Sequence, residues 1–232
     1  MERVYRSDSN PSTLIEGVGI AVGVTGPNQR HTGLLHIDSE SGAPLMLDLA
    51  WDFVLCNRPP QDAFGGGFVW IDPAVLPRRR LKQVAAVCRK VWRANSRRGI
   101  PFGFNSPSNC FDEATGAFLL GPTRLGLTCA AFVLAVFHYA RLPLVKYETW
   151  PRDRRGDREW QERIVSILEH RGAEPDRIRA LRSDVGAVRY RPEEVAGAAT
   201  VSPLPAEFEI AEQRGRQILQ RLQGNAPGEP QP

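Results

Sequence analysis

Gly126-Leu127-Thr128-Cys129-Ala130-Ala131-Phe132-Val133-Leu134-Ala135-Val136-Phe137 is the stretch on which the reading of the chain turns. Thr128 is a preferred N-cap residue, because its hydroxyl can accept one of the unpaired amide protons of a first helical turn. Cys129 then falls at the first helical position. There the helix dipole and free N–H groups favour an anion, and the thiolate is the nucleophilic form of cysteine. Ala130 and Ala131 leave room around the sulfur, and Phe132, Val133, Val136 and Phe137 predict a helix buried in a core. A cysteine on a buried helix also serves as an ordinary small apolar residue. The stretch alone therefore leaves a catalytic and a packing reading open.

The rest of the composition narrows the classes. The 232 residues suit one large domain, or one domain with a helical appendage. Hydrophobic residues make up 42% of the chain, enough for a core. The net charge of +4 comes from 30 basic and 26 acidic residues, and the arginine runs are dispersed without an aromatic platform. No nucleic-acid partner is expected. Cys56, Cys88, Cys110 and Cys129 form no CxxC pair, and no nucleotide-binding fingerprint is present, so no metal or cofactor is expected. No apolar run is long enough for a membrane span, and residues 1–10 lack the apolar core of a signal peptide. The expectation is a cytoplasmic protein with reduced thiols and no membrane insertion, export without a cleaved signal remaining compatible.

Upstream, residues 1–13 read as a loose lead-in. Val18–Val24 reads as a buried strand and Thr25–Asn28 as a turn. A hairpin follows, with strands His31–Ile37 and Pro44–Ala50. Alternation places His31, Gly33, Leu35 and Ile37 on one face. A four-residue loop would set Ile37 against Gly42 and His31 against Asp48, a directly opposed pair able to hydrogen-bond. Asp48 lies on an otherwise apolar strand, where a carboxylate is costly without a partner. Its alternative is an ordinary outward-facing position. Trp51–Gln61 reads as irregular, and Phe64–Ile71 as a glycine hinge running into a strand.

Asp72 or Pro73 is expected to open a helix reaching Ala94, with Cys88 on its apolar face. The Gly- and Pro-bearing loop from Arg98 to Gly121 is long enough to expect it at the site in front of the Cys129 helix, with Asn105 or Asn109 as an oxyanion donor or as a plain turn residue. His36 is read as exposed or structurally bonded, and His138 and His170 as surface residues on helices. Helices are expected over Arg158–His170, Asp176–Arg182 and Pro203–Leu222, without a chemical motif. The organisation expected is a core over residues 1–145, a helical extension packed on it over 146–223 and open to a protein partner, and a disordered tail over 224–232.

The order of these parts resembles the circularly permuted branch of the papain-like, NlpC-type cysteine hydrolases, which includes lecithin–retinol-acyltransferase-like proteins. His31-Thr32-Gly33-Leu34-Leu35 is similar to that branch's histidine strand. Leu127-Thr128-Cys129-Ala130-Ala131-Phe132-Val133 is similar to its cysteine helix start, and Gly99-Ile100-Pro101-Phe102-Gly103-Phe104 to its Gly-x-Pro turn. The resemblance spans residues 15–140. It implies an α+β fold with a small antiparallel sheet packed on the central Cys-bearing helix. It further implies a Cys129–His31–Asp48 triad and an acyl-thioester intermediate, in a peptidase, amidase or isopeptidase acting on a peptide or protein conjugate. Asp48 stands where the acyltransferase branch often carries a second histidine, which leans toward hydrolysis. An acyltransferase or thioesterase of the same fold, and a non-catalytic binding module, are the alternatives.

Overall fold

The computed structural model describes residues 3–9, 15–26, 29–64, 67–73, 76–121 and 126–224. Within them the fold is α+β. Six strands form one open antiparallel sheet in the order β1-β6-β2-β3-β4-β5. They are β1 (Val4–Arg6), β2 (Val18–Gly26), β3 (Gln29–Ile37), β4 (Pro44–Trp51), β5 (Val54–Arg58) and β6 (Phe68–Ile71). The helices are α1 (Gln61–Phe64), α2 (Arg78–Asn95), α3 (Cys129–Tyr139), α4 (Asp157–His170), α5 (Pro175–Ser183), α6 (Pro192–Ala198) and α7 (Phe208–Leu222).

The centre of the molecule is α3. Every residue from Ala130 to Phe137 is buried, as a helix apolar on all sides demands. It packs against β3, β4, α2 and α6. Burial of each large side chain, Phe132 and Phe137 among them, contributes roughly 1.5–3 kcal/mol. One apolar core runs from Val4 through the sheet and α3 to Ile218 of α7, so the C-terminal helices share their core with the sheet.

Several expected boundaries move, each for a local reason. The lead-in contains β1, whose Tyr5 ring stacks on Trp70 at 4.4 Å. Three residues are too few to declare a period. Residues 54–58 form β5 along β4 rather than an irregular run. Helix α2 begins at Arg78, because Pro77 disfavours helical backbone at Leu76 before it. Pro203 and Pro205 likewise hold the approach to α7 out of helix until Phe208. Helix α6 was not foreseen. All seven of its residues are buried, so it carries no amphipathic stripe to read. It fits because Gly197 and Gly215 let α6 and α7 touch at the backbone: a Cβ on Gly197 would lie 2.4 Å from the Ala211 carbonyl. Residues 65–66, Pro27 and Asn28 of the expected turns, and 225–232 of the expected tail, lie outside the described residues.

Candidate active site

Thr128 caps α3 as its chemistry predicts, its Oγ1 accepting from the Ala131 N–H at 3.1 Å. Cys129 is the first helical residue and is partly exposed. The chain reaches it through a clamp. Leu127 N–H donates to the Pro101 carbonyl at 3.0 Å, and Asn105 N–H to the Gly126 carbonyl at 3.1 Å. Gly126 has φ +134, and a Cβ there would sit 2.2 Å from the Pro101 oxygen, so the approach tolerates no side chain. The Cys129 N–H has no acceptor among the described residues.

The hairpin brings its two polar residues together by a different register from the expected one. Ile37 pairs with Pro44, not Gly42, because the turn holds two more residues, closed by Asp38 N–H to the Ala43 carbonyl at 2.9 Å and by the Asp38 carboxylate on Ser41 N–H at 2.9 Å. A shift of two keeps every side chain on its face. Continued along the strands, this register sets Asp48 opposite Gly33 and makes His31 its diagonal neighbour. Gly33 opens the way between them: a Cβ there would lie 2.8 Å from Cβ of Asp48. His31 Nε2 donates to Asp48 Oδ2 at 2.8 Å. That leaves Nδ1 for Cys129, which lines the same cleft as the ring.

Asp48 is fully buried, and a buried carboxylate is stable only when paired. Its Oδ2 also accepts from Arg58 Nη2 at 3.2 Å, a partner that no sequence signal announced. Its Oδ1 has no partner among the described residues. Burial by itself lowers the pKa of His31. The electrostatic influence of Cys129 and the hydrogen bond and charge of Asp48 outweigh it, and raise that pKa to about 10. The ring is therefore an imidazolium at neutral pH, lying between two acidic groups.

Cys129 and His31 open onto a cleft of about 510 Å³. Of the described residues in the expected loop from Arg98 to Gly121, only Phe102 lines it, so that loop contributes less than expected. Asn105 spends its side-chain oxygen on the Gly126 N–H at 2.7 Å, fastening the clamp. Asn109 occupies a left-handed turn position with φ 51, away from this cleft. The far wall comes from the C-terminal third, where no motif was visible: Trp160 and Arg163 of α4, the Arg189-Tyr190-Arg191 segment, and Glu193 of α6. A buried ion network holds that wall. Asp157 accepts from Arg154 Nε at 2.9 Å, Arg189 Nη1 at 3.0 Å and Arg191 Nη2 at 2.8 Å. Arg154 also pairs with Glu194, which takes the Arg191 N–H at 3.0 Å. Arg177 of α5 binds Asp52, whose Oδ1 holds the Phe102 N–H at 2.9 Å.

The remaining candidates stand apart. His36 is fully buried rather than exposed, and its Nε2 is bonded to Asn57 Oδ1 at 2.9 Å. Burial lowers its pKa. His138 packs against Tyr147, and exposed His170 bonds the Ser166 carbonyl at 2.8 Å. Cys88 is a core residue whose thiol burial pushes up to about 12, and burial also raises Cys56. Among the described residues no group of three His, Cys, Asp or Glu side chains is placed to hold a metal ion, and no helix is long and apolar enough to cross a membrane. Comparison of the chain with family models, with curated proteins and with solved structures finds no match.

Proposed function

We propose that this protein is a cysteine hydrolase of the circularly permuted papain-like type, cleaving amide bonds of a peptide or protein conjugate through a Cys129–His31–Asp48 triad. The observation that carries the reading is the placement of the helix-capped Cys129 in one cleft with His31, whose ring is hydrogen-bonded to buried Asp48. The strand–strand–helix order of the three residues supports the permuted arrangement.

In this mechanism the thiolate of Cys129 attacks the carbonyl carbon, forming a C–S bond and placing the electron pair on the carbonyl oxygen. The Cys129 N–H, pointing out of the helix start, donates to that oxyanion. As the intermediate collapses, the C–N bond breaks and His31 gives its proton to the leaving amine. His31 is then neutral and takes a proton from water. The hydroxide oxygen displaces Cys129 from the acyl carbon, releasing the carboxylic acid and restoring the pair. Asp48 fixes the tautomer and stabilises the imidazolium throughout.

Turnover of p-nitrophenyl acetate tests this. The expected result is a stoichiometric burst of p-nitrophenolate with an acetyl group on Cys129, found by peptide mass spectrometry. No burst, or acetyl spread over the four cysteines, would instead leave the fold as a binding module.

A further inference from the structure

The wall opposite Cys129 is rich in guanidinium groups. Arg30, Arg163, Arg189 and Arg191 line the cleft against Glu159 and Glu193. Their states differ. Arg30 lies 3.7 Å from Glu193, and Arg191 spends Nε and Nη2 on Asp157. Arg189 gives Asp157 a single N–H, from Nη1, while its guanidinium stacks 3.9 Å over the Trp160 ring. The indole and the one ion pair fix the plane of that fork and leave its other donors unspent. Arg163, one turn beyond Trp160 on α4, is exposed and has no partner among the described residues. A planar fork already held in place loses little freedom on accepting a carboxylate, which it can bind through two parallel N–H bonds.

We infer that the cleft takes an acyl group carrying a carboxylate near the scissile carbonyl, docked on Arg189 and steered by Arg163. The inference rests on Cys129 being the nucleophile and goes beyond it by naming the substrate class. An acidic side chain and a chain-terminal carboxylate present the same chemistry to the wall.

Iodoacetate and iodoacetamide test it, because both alkylate a thiolate with loss of iodide and differ only in carboxylate against carboxamide. The quantity read is the ratio of the two second-order rates at Cys129, at low ionic strength. Taken within each protein, the ratio cancels general changes in thiol reactivity. It is expected to favour iodoacetate in the native chain and to fall about five-fold in Arg163→Gln and in Arg189→Gln. Arg79→Gln, which removes the same charge from α2 outside the cleft, is expected to leave it unchanged. A ratio that stays put in Arg163→Gln, a surface change that does not touch the Asp157 network, and in Arg189→Gln overturns the inference while leaving the nucleophile intact. Failure of either reagent to select Cys129 removes the catalytic reading first. Glutamyl p-nitroanilides acylated through the α- or the γ-carboxyl then separate the side-chain from the terminal source. Cleavage of either one in preference to its own analogue, with the free carboxylate replaced by a carboxamide, supports the inference, and preference for the carboxamide analogues contradicts it.

Discussion

Asp48 reaches His31 across the space that Gly33 leaves empty. A Cβ on Gly33 would lie 2.8 Å from Cβ of Asp48 and 3.0 Å from the Leu47 carbonyl, so even one carbon closes the route. Gly33→Ala is expected to cost about 1–3 kcal/mol through overpacking and to separate the pair. Urea denaturation measures the first effect. Slower alkylation of Cys129 in the folded variant measures the second.

Asp48→Asn keeps the shape and removes the charge. His31 loses the carboxylate that helps to hold its proton, so its pKa falls from about 10 toward its ordinary value of 6.5. Acylation at pH 8 is expected to drop by about 10²-fold or more. Burst kinetics on the purified variant check this.

The proton on His31 gives the pH dependence a sign. The folded pKa is raised, from 6.5 to about 10, so the general acid is present across neutral pH and is lost as pH rises through the folded value. The stability this proton contributes follows the same course, complete below 6.5 and lost as pH approaches 10. Side-chain ¹⁵N NMR at pH 8 is expected to find His31 doubly protonated and His36 neutral. A neutral His31 at that pH would contradict the ion pair.

The cleft wall depends on Asp157, which accepts hydrogen bonds from three arginines while only 3% exposed. Asp157→Asn leaves those guanidinium groups without their counter-charge and is expected to destabilise the protein by about 3–5 kcal/mol. Hydrogen exchange is expected to rise first in α4 and α6, ahead of β3 and β4.

How much of this could be read from the sequence depends on the range of the interaction. Thr128 and Cys129 were legible because a cap and a first turn are local. The shared face of His31 and Asp48 was legible because strand parity survives a two-residue error in the turn, even though their direct opposition did not. The α+β class was what the family resemblance implied. Arg58 was not legible, because its tie to Asp48 depends on β5, an edge strand with no clear alternation. The wall was hidden for a different reason. Arg154, Asp157, Arg189 and Glu194 look like solvated surface until the fold brings α4 and the Arg189–Glu194 segment together and buries them against one another. The run Arg189-Tyr190-Arg191-Pro192-Glu193-Glu194 was the available clue. It is dense in charge around a tyrosine, directly before a proline that opens a helix.

The most direct measurement of the central claim is the rate of Cys129 alkylation by iodoacetamide at pH 6, resolved by site, in the native chain and in His31→Gln. At this pH an ordinary thiol, with a pKa of about 8.5, is almost wholly protonated and slow. The account predicts that Cys129 reacts at least about 10²-fold faster than Cys56, Cys88 and Cys110, and that His31→Gln removes most of that advantage. Equal, slow labelling of all four cysteines, or a fast Cys129 indifferent to His31→Gln, would contradict it.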